Sequence, residues 1–128
     1  MTDAATGAPS TADGAAPTVA ILADDLIWST RLADAVRAAG GRPRVLRRLE
    51  DLAAASPGAV IVDLTARAYD GVTAVGAAAR AGARVVAVGQ HDDATLRRAA
   101  MEAGASRVFT YRALFEDGPR LLGRWLAG

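Results

Sequence analysis

The sequence predicts an α/β fold built on a doubly wound, five-stranded parallel sheet. Three observations predict it. Five short apolar runs alternate with Ala-rich stretches of helical period from Thr18 onward. Four of those runs carry consecutive Val, Ile or Leu residues, which marks strands covered on both faces. The chain has 128 residues, enough for one domain that buries roughly two thirds of its unfolded surface.

The elements follow in order. Residues 1–16 are rich in Ala, Thr, Gly, Pro and Asp without a period, and read as a disordered tail before a domain over 17–128. The first strand is TVAILA, residues 18–23. It leads into a helix with an apolar stripe at Leu26, Leu32, Ala35, Val36 and Ala39, stopped by Gly40–Gly41. The second strand, RPRVL at 42–46, alternates more and holds Pro43, which lacks an amide proton and suits a sheet edge. A weaker helix covers Leu49–Ala55. The third strand is GAVIV at 58–62, followed by a helix with the stripe Val72, Val75, Ala78 and Ala79 and a stop at Gly82. The fourth strand is ARVVAV at 83–88. Its helix carries Leu96, Ala99, Ala100 and Ala103 and stops at Gly104. The fifth strand is ASRVF at 105–109. The last helical region carries Leu114, Leu121, Leu122, Trp125 and Leu126, and Asp117-Gly118-Pro119 predicts a break and restart within it. Right-handed crossovers and five strands match the flavodoxin-like order 2-1-3-4-5.

Composition removes several chemistries. There is no Cys, which excludes disulfides, thiol catalysis and thiolate metal sites. The single His, His91, excludes a multi-histidine metal site within one chain. There is no Lys; all 15 basic residues are Arg, so neither a P-loop lysine nor a Schiff-base lysine exists. Against 14 acidic residues the net charge is +1, which gives no electrostatic basis for a nucleic-acid partner. The cluster Arg42, Arg44, Arg47 and Arg48 reads as a solvated strand edge and helix start rather than a phosphate patch. No apolar run approaches the roughly 20 residues that cross a bilayer. The N-terminus lacks a basic start followed by an apolar core. The expectation is a cytoplasmic protein with no membrane partner.

In a doubly wound sheet, ligands bind beyond the C-terminal strand ends, at the switch point between the first and third strands. The first strand ends in Ala23-Asp24-Asp25 and the third in Asp63-Leu64-Thr65. Three carboxylates then face one crevice. Packed like charges are unfavourable, so a proton or a cation belongs among them, and magnesium suits all-oxygen donors. The plainer alternative is that Asp24 or Asp25 caps the first helix and Asp63 starts a turn.

These residues carry a resemblance. The segment Ile21-Leu22-Ala23-Asp24-Asp25 before a helix, the stretch from Asp63 to Asp70-Gly71, and Ala103-Gly104-Ala105-Ser106 resemble the response-regulator receiver domain, the CheY-like family, over about residues 18–127. The resemblance implies that Asp63 is the phospho-acceptor. It also implies that Asp25 and Asp63 bind magnesium, with Asp24 acting through water and Thr65 through its backbone carbonyl. Asp63 would attack a phosphoryl group while the metal neutralises charge.

The departures from that pattern point to an atypical, pseudo-receiver form. The family expects Ser or Thr at the end of the fourth strand; here Gly89 stands there. It expects Lys at the end of the fifth; here Phe109-Thr110 is followed by Tyr111. Arg67 occupies the place of the usual loop Pro, and Val108 that of the aromatic switch residue. Gln90, His91, Arg67 and Arg112 are candidates to replace the missing groups in part. Trp28 belongs either at the crevice mouth or to helix–sheet packing. Trp125 reads as core rather than as a dimer surface. Receiver domains meet partners through the fourth helix, fifth strand and fifth helix, a face that would include Arg97, Arg112 and Arg124.

Two function classes follow. The first is a stand-alone, non-enzymatic receiver-like module in signal transduction. It would bind a sensor kinase or another regulator, with a homodimer also open and no room for an output domain. The second is a magnesium-dependent receiver in a two-component phosphorelay with Asp63 phosphorylated. A nucleotide-binding flavodoxin-like domain ranks last, because no Gly-rich phosphate loop follows the first strand.

Overall fold

The computed structural model describes residues 16–90 and 92–128; the tail predicted over 1–16 lies outside them except for its last residue, as does His91. Five strands form the sheet: β1 (Thr18–Leu22), β2 (Arg42–Leu46), β3 (Ala59–Asp63), β4 (Arg84–Gly89) and β5 (Arg107–Thr110). They alternate with α1 (Leu26–Ala38), α2 (Leu49–Ala55), α3 (Gly71–Arg80), α4 (Ala94–Ala103) and α5 (Tyr111–Ala127). All pairings are parallel and the order is β2-β1-β3-β4-β5, as the alternation predicts.

Period-2 alternation splits the strands between two cores. Val19, Ile21 and Ile61 point to the side of α1 and α5, where they meet Leu32, Val36 and Leu122. Leu22, Val60, Val62 and Val85 point to the other side, with Leu52 of α2, Val75 of α3 and Ala100 of α4. Ile21, Ile61, Leu32 and Leu122 are fully or almost fully buried, each worth about 1.5–3 kcal/mol of burial. Pro43 lies on the edge strand β2, paired only toward β1, as its missing amide requires.

The stop signals act as glycine chemistry predicts. Gly40, Gly82 and Gly104 adopt φ of 96°, 92° and 125°. Helix α5 is interrupted at Asp117, whose φ of −147° and ψ of 27° are not helical. That break lets the buried Gly118 approach Ala35 of α1, where an added Cβ would lie 3.3 Å from the Ala35 Cβ. One stripe residue is corrected. Leu26 is 67% exposed, because α1 begins beyond the sheet end and its first turn overhangs the core. Ser29, Leu32, Ala33, Ala35 and Val36 form the buried face instead. No helix among the described residues is long and apolar enough to cross a membrane.

Candidate functional site

The ends of β1 and β3 are adjacent in the sheet, with Leu22 in register with Val62. The loops after them therefore open onto one crevice of about 420 Å³. It is lined by Asp24, Asp25, Trp28, Asp63, Thr65, Arg67, Gln90 and Tyr111. The three carboxylates meet there as the strand order requires. Arg112 stands outside it, in a shallower hollow with Ile27, Trp28, Arg31, Tyr111 and Phe115, and pairs with Glu116 at 3.2 Å.

Each carboxylate also performs a local backbone task. Asp25 caps α1, its Oδ1 accepting from the Trp28 amide at 2.8 Å. Asp24 Oδ2 accepts from the amides of Arg67 and Ala68 at 2.8 and 2.9 Å, which ties the β3–α3 loop to β1. Asp63 is 2% exposed, and its Oδ1 accepts from the Thr65 amide and the Thr65 hydroxyl, both at 3.0 Å. The capping and turn roles thus coexist with the shared crevice.

Two tyrosines complete the site. The Tyr111 hydroxyl donates to Asp63 Oδ1 and also lies against the Thr65 hydroxyl. Its ring packs on Trp28 with centroids 4.4 Å apart and planes tilted by 40°. Burial, followed by the hydrogen bond to Asp63, holds the Tyr111 phenol far above its ordinary value, so it stays a neutral donor. Tyr69 is buried beneath the crevice. Its hydroxyl donates to the carbonyls of Leu22 at 2.7 Å and Asp63 at 2.8 Å, bridging the ends of β1 and β3. Burial and the nearby charges of Asp63 and Asp24 keep this phenol neutral as well.

Neither tyrosine is among the site residues that the sequence predicts. Tyr111 directly follows β5, the position where the resemblance calls for Lys, and that coincidence was the available signal. Tyr69 carried none: its two acceptors are backbone carbonyls 47 and 6 residues away. Gly71 serves the same geometry, since a Cβ there would lie 2.7 Å from Leu64 Cα. Only glycine lets α3 start so close to the end of β3.

The donor chemistry fits a hard divalent cation. The hydrogen bonds described fall on one oxygen of each carboxylate: Oδ2 of Asp24, Oδ1 of Asp25 and Oδ1 of Asp63. The second oxygens stay outside these bonds, and oxygen ligands completed by water are what magnesium takes. Among the described residues, no three acidic or histidine side chains are already gathered around one metal position. The backbone tasks explain this: Asp25 is held to the first turn of α1, Asp63 to the loop that follows its own strand, and Asp24 to the β3–α3 loop.

No family model and no curated protein matches the sequence. Solved structures do match. The signal receiver domain of a DNA-binding response regulator (merR) from Colwellia psychrerythraea 34H is 16% identical, with a TM-score of 0.73, over 87% of this chain and 98% of that one. A LuxR-family two-component response regulator from Aurantimonas sp. SI85-9A1 is 20% identical, with a TM-score of 0.71, over 88% of this chain and 84% of that one. The BeF3-activated DrrB receiver domain is 18% identical, with a TM-score of 0.71, over 88% of this chain and 95% of that one. With the strand order, the helix count and the crevice at the switch point, these likenesses establish that the chain has the receiver fold of response regulators.

Proposed function

We propose that this chain is a receiver-like signalling module that works by binding another signalling protein, a sensor kinase or a regulator, rather than by catalysis. Its acidic crevice favours magnesium but is poorly built to convert an aspartyl phosphate into a signal. One observation carries the reading: the Tyr111 hydroxyl occupies the acceptor oxygen Asp63 Oδ1. A phenol donates a hydrogen bond there but brings no positive charge. A phosphoryl group on Asp63 would add negative charge beside Asp24 and Asp25. The missing ammonium would have supplied about 4 kcal/mol at 4 Å and an effective dielectric of 20. Among the described residues, Arg67 is the one cationic side chain lining the crevice, and it is exposed. Gly89, at the end of β4, has no hydroxyl to follow a phosphoryl group.

When bound, magnesium would supply positive charge against the carboxylates. Asp25, Asp63 and the Thr65 carbonyl would hold it, with Asp24 acting through water. Asp24 meanwhile holds the β3–α3 loop, and Tyr69 fixes the distance between the two strand ends.

A second reading, a phosphorylatable receiver with Asp63 as acceptor, has one observation in its favour. Asp63 Oδ2 takes no part in the hydrogen bonds that hold Oδ1, and so remains available as a nucleophile. Magnesium titration followed by beryllofluoride, read by tryptophan emission, separates the two. The expected result is saturable magnesium binding with no further change on adding the analogue. A clear analogue response that disappears in Asp63→Asn would establish the phosphorelay reading instead.

A further inference from the structure

We infer that Tyr111 is a positioning residue that links the crevice to the outer surface formed by α1 and α5. The inference rests on reading the crevice as a cation pocket. Tyr111 makes two kinds of contact at opposite ends of its side chain. The hydroxyl bonds Asp63 Oδ1 and meets Thr65, both at the crevice floor. The ring packs on Trp28. The guanidinium of Arg31 sits 5.7 Å from the Trp28 ring and 4.7 Å from the ring of Phe115. Phe115 is 66% exposed and Ile27 beside it is 65% exposed. A continuous run of contacts therefore leads from a buried carboxylate to an open apolar surface.

The run has a physical reason to move. Tyr111 is the first residue of α5 and Trp28 lies in the first turn of α1. Neither is locked inside the sheet, and both rings line the crevice itself. The phenol has two oxygens within reach, Asp63 Oδ1 and Thr65 Oγ1. A cation on the Asp63 carboxylate draws electron density from Oδ1 and weakens its pull on the phenol. The phenol, already within reach of Thr65 Oγ1, then loses its tie to Asp63, and its ring is released to shift against Trp28. A ligand can bias such an element only through unequal interaction with its two arrangements, and the Asp63 bond supplies that inequality. Gly89 has no side chain to carry the movement another way, and Val108 packs against the opposite core.

The test uses the full chain carrying Trp125→Phe, which leaves Trp28 as the sole tryptophan. Magnesium binding is measured by calorimetry and Trp28 emission is followed in parallel. In this parent the two midpoints should coincide. Adding Tyr111→Phe should tighten the calorimetric affinity, because the bond that the cation weakens is gone, and should remove at least two thirds of the emission response. A second reporter, Phe115→Trp in a chain whose two native tryptophans are changed to Phe, should respond to magnesium and lose that response with Tyr111→Phe. Heat of binding without any emission change in the parent would sink the linkage and leave the cation pocket standing. A full response surviving in Tyr111→Phe would do the same. No heat at all would overturn the cation pocket and the linkage together.

Discussion

At the scale of single residues, the site depends on groups that serve the backbone and the crevice at once. Tyr69 is the clearest structural case. One buried hydroxyl lies within hydrogen-bonding distance of the last carbonyl of β1 and that of β3, so removing it withdraws the donor that two carbonyls share. Loss of a buried partner typically destabilises by about 1–3 kcal/mol. Tyr69→Phe should therefore lower the unfolding free energy measured in urea by about that amount, with a lower midpoint, while keeping the far-ultraviolet spectrum. An unchanged midpoint would mean that water replaces the hydroxyl without loss. Asp63 differs from Tyr69 in that its partners are a loop residue and a helix start, groups that can move. This difference separates a strut from a movable link.

At the scale of elements, caps decide where helices begin, and one cap sits inside the site. Asp25 caps α1, Asp70 caps α3, Asp93 caps α4 and Thr110 caps α5, each accepting from an amide three residues on. Helix α2 has no such side-chain cap and ends at Ser56 in a left-handed conformation. Because Asp25 also faces the crevice, its two roles can be separated by substitution. Asp25→Asn keeps an acceptor for the Trp28 amide and should hold thermal stability. It should weaken magnesium binding at least about tenfold, since a full charge is lost from the donor set. Asp25→Ala should weaken binding similarly and also destabilise by about 0.5–2 kcal/mol. Equal melting temperatures for the two variants would show that the cap contributes little. Asp70 is tied to Thr73 through both the side chain and the amide, which holds its carboxyl below the ordinary value. A depressed folded-state value means a contribution fully present above the ordinary carboxylate value and lost as pH falls from there through the depressed one.

At the scale of the whole molecule, stability is uneven across the sheet. Every residue of β3 is buried, as are all but the first of β1 and β4. Strand β2 buries only Leu46, and α2 only Leu52. Local opening should follow that division. Hydrogen exchange should find the amides of Val60, Ile61 and Val62 protected to the global unfolding free energy, and those of α2 exchanging well before them. Uniform protection across β2, α2 and β3 would contradict this. Much of the architecture was legible in the chain itself. Strand and helix periods, the glycine stops, the Pro43 edge and the break at Asp117-Gly118-Pro119 are properties of neighbours along the chain, governed by backbone conformation and by which side chains share a face. The placement of Asp24, Asp25 and Asp63 at one crevice was legible too, because strand order alone puts two strand ends together. Only the tertiary structure decided that Tyr111 reaches Asp63 across 48 residues, that Tyr69 bridges two strand ends, and which oxygen of each carboxylate is already engaged. Those outcomes depend on distances between side chains on different elements, and packing sets such distances where local sequence pattern does not.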